Sequence, residues 1–148
     1  MDRCRTGQQW HWDGVTFEIL HPQAPGVGNN ASCVLKISAA GGRALLTGDI
    51  EKQAERHLLR DRKLSPVTLL VIPHHGSRTS STPAFIDALQ PAHAIVTAGY
   101  LNRYGFPKPD VVARYKQRNA AVWVTGDEGA IMFEVGNEGI YPRLLYRR

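Results

Sequence analysis

The spacing of apolar positions changes character part-way along the chain. From Trp10 to Leu20 the residues Trp10, Trp12, Val15, Phe17 and Ile19 alternate with small or polar ones up to His21-Pro22, which predicts one or two strands. Residues 22–30, with Pro25, Gly26, Gly28 and the Asn29-Asn30 pair, read as a loop. Strands are expected at 32–38 and 43–47, joined by a turn over 39–42, so the first half is a β-meander. Cys33 alternates with Leu35 and Ile37, which predicts a small core residue.

After Asp49 the period lengthens. Ile50, Ala54 and Leu58 fall at i, i+4 and i+8 with charges between them, predicting an amphipathic helix over about 50–61. The continuous apolar run 67–72, bounded by Pro66 and Pro73, suits a strand buried on both faces. Thr82 reads as an N-cap with Pro83 at the first position of a helix through Phe85, Ile86 and Leu89. A strand at 93–98 and a helix at 109–119 follow, then strands at 121–125 and 130–135 around a hairpin turn at Gly126–Gly129, with 140–146 as a further strand. A meander followed by strand-helix alternation predicts an α/β sandwich of sheet covered by helices, in one domain spanning 1–148 without repeats.

Composition narrows the classes. With 148 residues, 43% hydrophobic and 21% charged, the chain carries enough apolar material for a packed core, which excludes a disordered polypeptide. No apolar run approaches the roughly 20 residues of a membrane-spanning helix, and residues 1–9 are polar where a signal peptide is apolar. Two cysteines are too few for a disulfide framework or a thiolate zinc site. The net charge of +5 admits a polyanionic partner, and residues 101–120 concentrate it: Arg103, Lys108, Arg114, Lys116 and Arg118 against Asp110 alone leave +4. A solvated helix face is the favoured account of the same charges.

Three positions carry candidate chemistry. Thr47-Gly48-Asp49 closes an apolar strand ahead of a helix, where a rigidly held carboxylate can ligate a divalent cation or simply cap the helix. A second Thr-Gly-Asp at 125–127 lies between two expected strands and reads as a turn, so the tripeptide is weak alone. The stronger signal is His74-His75-Gly76-Ser77 at the end of the buried strand, two imidazoles followed by a glycine that admits close backbone approach. Neighbours in an extended chain point oppositely, so one ring is expected to bind metal directly. His74 is favoured as that ligand and His75 as a group behind it or against substrate, with the reverse assignment open.

The segments Asn29-Asn30-Ala31-Ser32-Cys33-Val34-Leu35, Leu45-Leu46-Thr47-Gly48-Asp49, Val71 through Ser81, and Ala98 through Gly105 resemble, in order and spacing, the C-terminal domain of the ComEC family of DNA-uptake proteins, over about residues 9–135. The resemblance implies the second half of a metallo-β-lactamase-like domain. It implies a parent embedded in the bacterial inner membrane, with this domain on the extracytoplasmic side, and a nuclease that degrades the DNA strand not taken up. It further implies Asp49 as a metal ligand, with His74 or His75 completing the site or meeting the scissile phosphate, and Ser77 and Asn102 lining the cleft. Arg103 and the basic residues after it would hold single-stranded DNA by its backbone. Zinc or manganese would activate water for phosphodiester hydrolysis, and a histidine would protonate the leaving oxygen.

The sequence departs from that family in two ways. The upstream H-x-H-x-D-H motif is absent, and Asp49 with one histidine falls short of the three protein ligands of a catalytic zinc. Phe106 stands where the family has histidine in Gly-His-Pro. The expectation is therefore a partial domain, inactive alone, whose partner is the missing N-terminal half. The alternatives are a DNA-binding module without catalysis and a hydrolase of the same fold acting on another phosphoester.

Overall fold

The computed structural model describes residues 4–24 and 26–144. Strands β1 (Gln9–Trp12), β2 (Val15–His21), β3 (Val34–Ala39) and β4 (Gly42–Leu46) form the antiparallel meander the alternating pattern predicts. Helix α1 (Lys52–Arg60) then leads to β5 (Leu69–Val71), α2 (Pro83–Leu89) to β6 (His93–Val96), and α3 (Pro109–Lys116) to β7 (Ala121–Val124). Strands β4 to β7 run parallel, so one seven-stranded sheet has the order β1-β2-β3-β4-β5-β6-β7. Each parallel connection passes through a helix, as parallel pairing requires.

Side-chain alternation sorts the two faces. Leu45, Leu70, Ala94 and Val96 face the helices and pack with Ile50, Ala54 and Leu58 around α1, Phe85, Ile86 and Leu89 of α2, and Val111 and Tyr115 of α3. The i, i+4, i+8 stripe is thus the buried seam, each fully buried Leu or Ile contributing about 1.5–3 kcal/mol. Ala44, Leu69 and Ile95 face the other way, onto Ile131, Phe133 and Ile140. Those last residues belong to β8 (Ile131–Gly136) and β9 (Gly139–Leu144), a separate antiparallel hairpin. A Cβ on Gly41 would lie 2.1 Å from the Gly136 carbonyl oxygen, so the β3–β4 turn abuts the β8–β9 turn because glycine stands there.

Three expectations are corrected. Residues 125–128 are a one-turn helix, α4, linking β7 to a strand of a different sheet, because β7 takes β6 as its partner and leaves no hairpin to close. Thr82 precedes α2, but its hydroxyl makes no cap and donates instead to the buried Glu55 carboxylate at 2.6 Å. Cys33 is exposed, Val34 takes the core position, and Cys33 forms a disulfide with Cys4, 29 residues away. The last strand ends at Leu144, and the expected extension to Tyr146 lies outside the described residues.

Candidate functional site

Parallel pairing sets the carboxyl ends of β4, β5 and β6 side by side, the edge at which open α/β sheets gather ligands. Thr47-Gly48-Asp49 leaves β4, Pro73–Gly76 leaves β5 as a tight turn, and Thr97 follows β6. Buried Thr47 ties the first two ends together by donating its hydroxyl to the Val71 carbonyl at 2.7 Å. Gly48 has φ 56°, and a Cβ there would stand 2.9 Å from the Ser32 side chain. Ser32 Oγ in turn accepts the Asp49 N–H at 3.2 Å. Asp49 does not cap α1; Asn30 Oδ1 does so from outside the helix, accepting the N–H groups of Glu51 and Ala54 at 3.0 and 3.2 Å.

His74 and His75 are both left-handed, with φ 50° and 54°, so the premise of an extended chain with opposed side chains does not hold. Two consecutive non-glycine residues in this region cost roughly 1–3 kcal/mol each, strain that clusters at functional sites. The turn sets the ring centroids 6.3 Å apart at 61°. Gly76, at φ 78°, lets Pro107 approach to 2.7 Å from where a Cβ would be. That approach brings Phe106 against both imidazoles, 6.0 Å from His74 and 6.4 Å from His75.

The two histidines meet different partners. His75 Nδ1 lies 2.6 Å from the Thr97 carbonyl oxygen, and its Nε2 lies 3.4 Å from Asp49 Oδ1. His74 is engaged by the protein on both ring nitrogens: Nδ1 is 3.1 Å from Thr79 Oγ1 and 3.3 Å from Glu51 Oε1, and Nε2 is 3.4 Å from the Asn29 amide nitrogen. Glu51 is held below the usual carboxylate range by the Thr79 hydroxyl, helped by Asn29, His74 and Asn30, against partial desolvation. Sequence reasoning paired Asp49 with His74; in space the imidazole beside Asp49 is that of His75.

A carbonyl can only accept, so His75 Nδ1 carries its proton. In neutral His75 the Nε2 lone pair therefore faces a carboxylate oxygen, two acceptors that need a proton or a cation between them. The 3.4 Å spacing is long for an N–H···O bond. It matches the separation of about 3.3 Å between two ligands of a tetrahedral ion bonded at 2.0–2.1 Å. Anchoring one ring nitrogen on a carbonyl while the other is presented is also how metal-binding histidines are oriented. Chemically, Asp49 and His75 fit two positions of a cation site. No group of three or more His, Cys, Asp or Glu side chains that could hold a metal is found among the described residues.

The other expected site residues lie around this pair. Ser77 is buried, its hydroxyl 3.1 Å from Thr79 Oγ1. The Asn102 side chain closes its own loop, donating to the Gly99 and Phe106 carbonyls and accepting the Phe106 N–H. Arg103 is exposed, its guanidinium carbon 4.8 Å above the Tyr104 ring. In the basic segment, Arg114 pairs with Asp110 and Arg118 with Asp87, which takes two cations into structural ion pairs. Sequence reasoning missed Glu51, Thr79 and Thr97, hydroxyl and carboxyl residues without a motif of their own. It also gave no role to Asn29 and Asn30, although the pair stood out in the loop.

Residues 6–99 match the metallo-beta-lactamase superfamily. Among curated relatives, "Competence protein ComA" of Neisseria gonorrhoeae is 36% identical over 93% of the chain, and "ComE operon protein 3" of Bacillus subtilis is 35% identical over 96%. "Recombination protein 2" of Haemophilus influenzae is 33% identical over 86%. The chain spans only 20%, 19% and 16% of those three proteins respectively. They bear out the resemblance to the ComEC family and the α/β fold read from the sequence. No helix among the described residues is long and apolar enough to cross a membrane.

Proposed function

The chain belongs to the metallo-beta-lactamase superfamily, and on that premise we propose that it contributes Asp49 and His75 to a divalent-metal site of a phosphodiesterase domain in a DNA-uptake protein. The carrying observation is the His75 ring, tied by Nδ1 to Thr97 and turned so that Nε2 faces Asp49 at 3.4 Å. Relatives named for competence and for recombination favour DNA as the substrate. A third donor would come from outside this pair, consistent with a chain that spans a fifth or less of those proteins. When bound, a zinc or manganese ion would lower the pKa of water and neutralise phosphate charge. The chain's own residues present and orient the donors: Thr97 sets the His75 tautomer, Ser32 fixes the Asp49 backbone, and the His74–Glu51–Asn29 cluster braces the turn. The Cys4–Cys33 disulfide supports an extracytoplasmic location of this domain of an inner-membrane parent, since such bonds persist in oxidising compartments.

Phe106, packed on both imidazoles without a donor atom, favours a second reading, a DNA-binding module of the same fold without turnover. The test is zinc and manganese binding by the full chain, followed with a competing indicator and by broadening of histidine ring signals with manganese, alongside metal-dependent cleavage of single-stranded DNA by the longer protein. Micromolar to millimolar metal binding that disappears in Asp49→Ala, together with loss of cleavage in the same variant, supports hydrolysis. Cleavage unchanged in Asp49→Ala removes the carboxylate from the mechanism, and DNA binding without cleavage selects the second reading.

A further inference from the structure

Outward from His75, planar side chains follow one another in near-parallel series. The Phe106 ring is 22° from the His75 plane at 6.4 Å, and Tyr104 is 20° from Phe106 at 5.7 Å. The Arg103 guanidinium caps Tyr104 at 4.8 Å, and Lys108 Nζ sits 5.3 Å from the Phe106 centroid. Both spacings between rings are within the range of offset aromatic stacking. The loop that carries the series is rigidly built, because Asn102 bonds three of its backbone groups and Lys108 donates to the Tyr104 carbonyl at 2.7 Å. Yet Tyr104 is 56% exposed, and Tyr100 and Leu101 on the same loop are 72% and 83% exposed. An ordered loop holding large apolar faces in water is organised for something other than the core.

Phe106 also lines an open cleft of about 850 Å³, together with Tyr100, Leu101, Lys116, Asp127 and Glu128. Arg103 and Lys108 make no ion pair among the described residues and sit over the Tyr104 and Phe106 rings. A partner there must therefore offer flat π-faces and negative charge together. Single-stranded nucleic acid does; a duplex hides its base faces in its own stack, and an apolar peptide has no use for the cations.

We propose that Tyr104, backed by Phe106, forms a stacking platform for unpaired nucleobases, which leads the strand to the Asp49–His75 mouth. Arg103 leaves the Tyr104 face as a base takes its place and moves onto the phosphates, while Lys108, held on the Tyr104 carbonyl, adds positive charge beside them. Asp127 and Glu128, which line the same cleft as Phe106, disfavour phosphates there. Delivery to a reacting centre rests on the phosphodiesterase reading; the stacking itself does not.

The test measures fluorescence anisotropy of the full chain with two labelled 12-mers at matched salt, oligothymidylate and an abasic strand with the same phosphates, both in chelator so that no hydrolysis occurs. Stacking of one base predicts about tenfold tighter binding of the base-bearing strand. Tyr104→Leu abolishes that ratio and Tyr104→Phe retains it, whereas Arg103→Ala weakens both strands equally and lowers the salt slope by about one. Equal affinity for the two strands, a ratio that survives Tyr104→Leu, tighter binding of duplex, or no binding at all overturns the platform. Because metal is absent throughout, none of these outcomes depends on whether Asp49 and His75 hold an ion.

Discussion

Two carboxylates only six residues apart in sequence live in opposite circumstances. Glu55 is fully buried beneath the start of α2, accepting the Ser81 and Thr82 N–H groups at 2.5 and 2.9 Å and the Thr82 hydroxyl at 2.6 Å. Buried Tyr115 extends the cluster by donating to Ser81 Oγ at 2.9 Å, and Arg114 donates to the Ser81 carbonyl at 3.0 Å. Every acceptor there meets a donor. Asp49, by contrast, is about half exposed, and its Oδ1 faces His75 Nε2, which in the neutral ring bound through Nδ1 to Thr97 is an acceptor too. A closed set of donors and acceptors holds a fold together; an acceptor turned toward an acceptor leaves a place for a cation. The contrast separates a carboxylate that holds the fold together from the one proposed to bind a cation, without reference to motif.

The largest effect that tests this contrast is removal of the buried member. Glu55→Ala strands two backbone N–H groups and a hydroxyl in the interior, each costing about 1–3 kcal/mol if left without a partner, so a loss of about 3 kcal/mol or more is expected. Urea unfolding at unchanged slope reads it directly. A loss under about 1 kcal/mol would mean that water or side-chain movement satisfies the cluster, and the distinction from Asp49 would fall. Burial also pushes the Glu55 carboxyl above its ordinary range, in opposition to its Thr82 and Ser81 donors, and pushes the Tyr115 hydroxyl up as well.

How much of this was legible depends on the range of the interactions involved. The Ile50, Ala54, Leu58 stripe and the strand-helix alternation are local patterns, and both correspond to observed elements. The carboxyl ends of β4 and β5 were recognisable as a candidate site because strand termini are readable from the apolar runs at 43–47 and 67–72. Glu55 was invisible: it lies on the stripe side of α1 as an ordinary charge, and only the docking of α2 gives its carboxylate three donors. The same docking diverts Thr82 from its cap. The Cys4–Cys33 pairing joins residues 29 apart across the meander, which spacing alone cannot specify. The choice between His74 and His75 turned on backbone handedness; two consecutive left-handed residues reverse the geometry an extended chain would impose.

That choice gives the second prediction. His75→Gln should lower zinc affinity about tenfold or more while shifting stability by less than about 0.5 kcal/mol, since the bond it gives up is to the carbonyl of exposed Thr97, where water or the glutamine amide can donate instead. His74→Gln should do the reverse, costing about 1 kcal/mol through its contacts with Thr79, Glu51 and Asn29 and leaving zinc affinity within about threefold. Metal titration and denaturant unfolding on the same two proteins check both. If His74→Gln abolishes zinc binding and His75→Gln spares it, the roles are exchanged.

The smallest effect concerns a third imidazole, away from the site. His93 in β6 packs between Trp123 and Phe133, with ring centroids 6.2 and 5.3 Å away, and the Trp123 indole N–H lies 3.3 Å from His93 Nδ1. Burial lowers its pKa below the ordinary 6.5, and an indole donor to Nδ1 likewise requires the neutral ring. Because the unfolded chain takes up the proton first, this contribution to stability is fully present above about pH 6.5 and declines as pH falls through the folded value. Since Phe133 belongs to the β8–β9 hairpin, acid should loosen that hairpin before the helix-covered face. Faster amide exchange in β8 and β9 than in β5 on lowering the pH from 7.5 to 5.5, corrected for intrinsic rates, would show it. His93→Gln should flatten the difference, and a β8 protection that ignores pH in the unsubstituted chain would remove His93 from the packing argument.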